Sequence, residues 1–214
     1  MNESSSQANE FSSALEAHAS RYGLQLSAQD ISRLREYYEQ VLAWNARLHL
    51  VAPCSPTEFA TRHVLESLLA LAHLPVGAHC LDIGSGAGLP IIPCLIVRPD
   101  LRATLIESSK KKAVFLREAL RTAGAHNRAS VMAGRFEKIH APPADAVTCR
   151  ALDKLKEMLP KIIGWASHAS TLLLFGGEGL REQLEDVGLA YEAVLIPESE
   201  RRFLFVIKKA QSQN

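Results

Sequence analysis

The sequence predicts an α/β fold: a mostly parallel β-sheet closed by a C-terminal antiparallel hairpin and preceded by a small helical N-terminal region. Three observations predict it. Up to residue 74 the apolar residues recur at helical spacing; beyond Gly77 short β-rich runs alternate with helical stretches; and the last two apolar runs are joined by a segment too short to hold a helix.

Residues 1–10, MNESSSQANE, are polar, rich in Ser and without periodicity, which predicts a disordered lead-in before a helical region over 11–76. Within that region Ile31, Leu34, Tyr38, Val41, Leu42 and Leu48 mark one amphipathic helix, about 28–48, and Ser27 with Asp30 supplies a capping-box start. Ser55, Pro56 and Glu58 form a second start signal, ahead of Val64, Leu65, Leu68 and Leu69. Leu74-Pro75-Val76-Gly77 breaks the helix, and a core domain is expected over 77–210. His79–Ile83, Ala103–Glu107, Ala129–Ala133, Ala144–Cys149 and Thr171–Phe175 read as strands of βαβ units, hence parallel with right-handed crossovers. Tyr191–Ile196 and Phe203–Ile207 read as the hairpin.

Bulk properties narrow the class. The chain has 214 residues, 47% of them hydrophobic, enough for one substantial domain with its own core. Cys54, Cys80, Cys94 and Cys149 form no C-x-x-C pair, and the histidines show no ligand spacing, so neither a disulfide framework, a zinc site nor another metal is expected. There is no signal-peptide pattern and no apolar run of membrane-spanning length, so the expectation is a cytoplasmic, monomeric protein without membrane contact. With 24 Lys+Arg against 23 Asp+Glu there is no global attraction for nucleic acid; any RNA contact must come from charge gathered on one face.

The segment that carries chemistry is Leu81-Asp82-Ile83-Gly84-Ser85-Gly86-Ala87-Gly88-Leu89-Pro90, which leaves a strand and opens a helix. Glycines there allow a sharp turn and close approach of backbone to a ligand, beside the free N–H groups of a helix N-terminus. The spacing is G-x-G-x-G, with Leu89 where a dinucleotide motif would place its last glycine, which favours S-adenosylmethionine (SAM) over a nicotinamide dinucleotide. Asp82 before the first glycine and Glu107 at the end of the second strand complete the constellation, since an acid at that strand end can accept both ribose hydroxyls of an adenosine. Five parallel strands and a hairpin are also the strand inventory of the Rossmann-like, class I SAM-dependent methyltransferase sheet.

From Asp82 onward DIGSGAGLPIIPCLIVRPD, TLIESSKKKAVFLREAL, GRFE, CRA and RFLFVIKK, with Trp44-Asn45 and Arg62-His63 upstream, resemble the RsmG (glucose-inhibited division protein B) family. The resemblance covers roughly residues 35–208. It implies an enzyme that methylates ring nitrogen seven of a guanine in small-subunit ribosomal RNA, with SAM as cofactor and that RNA or the small subunit as partner. It implies SAM contacts from Gly84, Leu89, Glu107, Phe136 and Glu137, and places Arg150 at the reacting end. Together with the loop reading, the candidate cofactor residues are Asp82, Gly84, Gly86, Gly88, Leu89, Glu107, Phe136, Glu137 and Arg150, with Arg150 also the candidate catalytic residue. Lys111, Lys112 and Arg202 are candidate RNA contacts; a solvated face is the other reading of these, and of the neighbouring Lys110, Arg201, Lys208 and Lys209. The sequence departs from the family pattern at His49, Val51, Ile91 and Phe175, where asparagine, threonine, glycine and lysine are usual. A methyltransferase acting on a small molecule and a non-catalytic RNA-binding relative are the alternative functions.

Overall fold

The computed structural model describes residues 3–150 and 155–208. Seven strands form one sheet: β1 (His79–Ile83), β2 (Arg102–Glu107), β3 (Ala129–Ala133), β4 (Ala146–Arg150), β5 (Thr171–Gly176), β6 (Glu192–Leu195) and β7 (Phe203–Lys208). Their order is β3-β2-β1-β4-β5-β7-β6, with β1 to β5 parallel and β7 antiparallel to both β5 and β6. The chain moves outward from β1 in one direction, then returns to start β4 on its other side. The topological switch point therefore lies between β1 and β4, where open α/β sheets bind ligands at the carboxyl ends of their strands.

Both faces of the five inner strands, β2, β1, β4, β5 and β7, are buried, and their two-residue period feeds two separate cores. Cys80, Leu105, Ala146, Leu173 and Val206 point to one, and Leu81, Ile83, Ile106, Val147, Leu172 and Phe205 to the other. The first core is shared with the N-terminal helices, α5 (Ile91–Val97) and α6 (Lys110–Thr122); the second with α7 (Leu155–Trp165) and α8 (Glu178–Asp186).

The N-terminal helices follow their start signals. α2 (Ala28–Leu48) begins with a complete Ser27–Asp30 capping box. Ser55 accepts the Glu58 N–H at the head of α3 (Pro56–Glu58). α3 continues without a break into a π-helical stretch (Phe59–Leu65), then α4 (Glu66–Leu68), then a 3₁₀ segment (Leu69–His73). The lead-in differs from expectation. Where residues 1–10 predict no structure, α1 runs over Glu3–His18. Polar composition hid sparse apolar anchors at helical spacing: Ala8, Phe11, Ala14 and Leu15 are buried, and the Phe11 ring stacks on Tyr38 of α2 at 4.4 Å. Tertiary packing thus supplies what the local sequence lacks. Among the described residues no helix is long and apolar enough to cross a membrane.

Candidate active site

β1, β2 and β4 end side by side, because Ile83 pairs with Ile106 on one flank and with Cys149 on the other. Gly84, Glu107 and Arg150 consequently occupy neighbouring positions at the sheet's carboxyl edge. The loop between β1 and α5 turns through left-handed backbone at Gly84, Gly86 and Gly88. At Gly88, where φ is 89°, any side chain would be strained, and a Cβ would press on the Ile92 side chain and force it to move. The Gly84 N–H donates to the Ile106 carbonyl at 2.9 Å, which ties the start of the loop to β2.

Glu107 is an anchor for this loop. Its Oε2 accepts the Gly86 N–H at 2.9 Å and its Oε1 accepts the Ser109 N–H at 2.7 Å, joining the glycine loop to the head of α6. Oε1 also takes the Ser108 hydroxyl at 3.4 Å, so of the roughly four lone-pair positions of the carboxylate the open one is on Oε2. Beside it opens a cavity of about 380 Å³ lined by Ile83, Gly84, Ile106, Phe136, Glu137, Cys149, Arg150 and neighbours. Phe136 is buried and packs edge-on against Trp165, whose Nε1–H donates to Ile139 O at 2.7 Å; this fixes one wall. Glu137 and Arg135 of the same turn are exposed.

Gly84, Phe136, Glu137 and Arg150 of the expected cofactor residues meet on the cavity wall. Gly86, Gly88, Leu89 and Glu107 build and brace the loop behind it. Asp82 sits apart. It faces the first core, the opposite side of β1 from Ile83, and is 0% exposed. Its cross-strand neighbour Thr148 donates to Oδ1 at 2.7 Å, while Oδ2 has no hydrogen-bond partner. Burial pushes its carboxyl up to about 7, against the pull of the Thr148 and Ser85 hydroxyls and with the repulsion of Glu107.

Arg150 lies in a polar knot made with the N-terminal helices. Its Nη2 donates to Arg62 O at 2.6 Å and lies 3.3 Å from Glu66 Oε1; its Nη1 donates to Ser67 Oγ at 3.3 Å; and its guanidinium lies 5.9 Å from the Phe175 ring centre. Arg62 and His63 belong to the π-helical stretch, whose wider turn changes which carbonyls are used within the helix. Glu66, only 4% exposed, also accepts from Arg202 Nη1. Burial pushes the Glu66 carboxyl up and the guanidinium groups of Arg150, Arg202 and Arg62 pull it back. Burial, with Arg150, Arg62 and Arg202 close by, holds the His63 imidazole down at about 3, so it stays neutral.

Of the expected RNA contacts, Lys111 is exposed, as is Lys110, and both crowd the N-terminus of α6. Lys112 Nζ donates to His49 O at 3.4 Å. Arg202 differs in surroundings from the lysines, being paired with Glu66 and turned into the knot. Lys209 lies outside the described residues.

Sequence reasoning missed two polar residues. Tyr37 is fully buried in α2 and donates to Ala87 O, in the glycine loop, at 2.7 Å. Glu66 had a faint signal, an acid within the apolar run Val64, Leu65, Leu68, but its partners lie 84 to 136 positions away and leave no local trace.

A mostly parallel sheet closed by a hairpin, with a glycine loop, a strand-end acid and a cavity at its switch point, defines a SAM-dependent methyltransferase of the Rossmann-like class. The residues present suit that cofactor, since the cavity has small-molecule size and the loop brings bare backbone to its rim. The sequence model of the rRNA small subunit methyltransferase G family, GidB, matches residues 30–207, and the chain belongs to that family. A ribosomal RNA small subunit methyltransferase G of Sorangium cellulosum is 37% identical over 171 residues, covering 77% of this chain and 71% of the relative. That of Anaeromyxobacter dehalogenans is 34% identical over 192 residues, covering 87% and 88%. Among solved structures, the O-methyltransferase from Bacillus cereus in complex with SAH superposes with a TM-score of 0.56 at 20% identity, over 81% of this chain and 90% of that one. The B. subtilis m1A22 tRNA methyltransferase gives 0.52 at 18% identity, over 68% and 65%. These two likenesses establish the shared fold.

Proposed function

We propose that the chain transfers the methyl group of SAM to ring nitrogen seven of a guanine in small-subunit ribosomal RNA. The observation that carries the reading is the family match over residues 30–207, which spans every element that builds the cavity. When bound, SAM supplies an electrophilic methyl group on a sulfonium. Ring nitrogen seven already exposes a lone pair, so transfer needs no general base, and the protein's part is to orient, to shield from water and to place charge.

In this reading the Gly84–Leu89 loop carries the cofactor with its backbone, and Glu107 accepts the ribose hydroxyls, one at Oε2 and one at Oε1 in place of the Ser108 hydroxyl. Phe136 and Glu137 border the adenine. Arg150, braced by Arg62, Ser67 and Glu66, directs its charge toward the reacting end of the cavity. Lys111 and Lys112 meet RNA phosphates, which would offset the cost of placing cations at the start of a helix. Arg202 adds to the same positive field, reduced by its pairing with Glu66.

Incubation of the protein with methyl-labelled SAM and unmethylated small subunits tests the assignment. Label entering the small-subunit RNA is expected. Label confined to small molecules, or none despite SAM binding, would overturn it.

A further inference from the structure

A second hollow of about 190 Å³ lies next to the cofactor cavity, lined by Arg62, Glu66, Arg150, Phe175 and Arg202 with the glycines that follow Phe175. Among the described residues Arg150 is the one side chain common to both walls. The order across the site is thus cofactor cavity, guanidinium, buried carboxylate. Phe175 supplies an apolar surface beneath the guanidinium.

Guanine presents its polar atoms in a matching order. Ring nitrogen seven and O6 are acceptors on one side, and N1–H with the exocyclic amine are donors on the Watson–Crick edge. With nitrogen seven toward the cofactor cavity, O6 faces a donor and the N1–H and amine face an acceptor. Arg150 can only donate and an ionised Glu66 can only accept. Arg150 and Arg202 occupy two of the roughly four lone-pair positions on Glu66, which leaves two for the base.

We propose that this hollow is the target-base subsite, and that Glu66 is its specificity residue, reading the Watson–Crick edge of a guanine whose O6 is held by Arg150; the inference rests on the function proposed above. The arrangement also assists the reaction. As the nitrogen-seven lone pair forms its bond to the methyl carbon, the carbon–sulfur bond breaks with its electrons on sulfur, and the purine becomes cationic. A fixed carboxylate at the opposite edge stabilises that charge as it develops. Adenine, with an acceptor at N1 and a donor in place of O6, would leave both side chains facing like partners.

Single-turnover transfer to an RNA fragment carrying either guanine or inosine at the methylated position tests the subsite, because inosine lacks only the exocyclic amine. Wild-type protein is expected to methylate the inosine RNA about 10- to 100-fold more slowly. Glu66→Gln should lose a similar factor on the guanine RNA and show little further loss with inosine, while binding SAM normally by calorimetry. Equal wild-type rates on the two RNAs would overturn the assignment without any variant. Equal penalties for Glu66→Gln on both would make Glu66 a structural brace and overturn it too. No wild-type transfer to the guanine RNA would instead overturn the parent function, and the subsite with it.

Discussion

At Asp82 one carboxylate oxygen is bonded and the other is bare, so burial dominates its chemistry. Its carboxyl is raised from 3.8 to about 7, so the folded chain holds a proton that the unfolded chain has released, and stability falls as pH rises through that window. Asp82→Asn keeps the neutral shape and removes the loss. Its stability relative to wild type should climb from about pH 4 to about pH 7 and then level off, as read by denaturant midpoints. A pH-independent difference would contradict the raised carboxyl. Glu107 has the opposite character, with both oxygens supplied by N–H donors. Glu107→Ala should weaken SAM binding by roughly 1.5–3 kcal/mol, since it removes a charged acceptor and frees the loop at Gly86. Unchanged calorimetric affinity in a folded variant would overturn the proposed ribose contact. Glu107 was legible because its spacing from the glycines is local to one βα unit. The Glu66–Arg150–Arg202 knot was not, because nothing near Glu66 in the chain announces partners on β4 and at the hairpin.

Among the elements, α2 does more than cover the sheet. Its Tyr37 hydroxyl satisfies the Ala87 carbonyl inside the glycine loop, so the N-terminal region braces that loop directly. Tyr37→Phe leaves that carbonyl buried without a donor and should cost about 1–3 kcal/mol of stability while also lowering SAM affinity. Full stability with normal affinity would mean the loop holds its shape unaided. β1 and β3 span the residues that their β-rich runs predict, and α2 begins at its capping box, because those signals are local. α1 escaped because its anchors are few and gain their value only against Tyr38 and Phe59. The departure at position 49 has an element-scale cause as well. His49 ends α2 in left-handed backbone at φ 47°, a conformation asparagine adopts readily and histidine tolerates, and Asn45 Oδ1 accepts the two N–H groups that follow, at 2.7 and 3.0 Å. The need at that site is a helix stop.

Over the whole molecule 24 basic residues nearly balance 23 acidic ones, so attraction for RNA depends on where unpaired cations gather. Lys111→Ala and Lys112→Ala should each weaken RNA binding at any sequence, leave SAM affinity unchanged and reduce the logarithmic salt slope by roughly 0.7 for each phosphate no longer neutralised. A salt slope that stays the same would assign the lysines to a solvated face. The identity of the methylated nucleoside separates methyl transfer to guanine nitrogen seven from every other outcome. After reaction with SAM, small-subunit RNA should be digested to nucleosides and the methylated one identified by chromatography and mass. The new nucleoside is expected to be 7-methylguanosine. A methyl group on a ribose, on another base or on another guanine atom would contradict it.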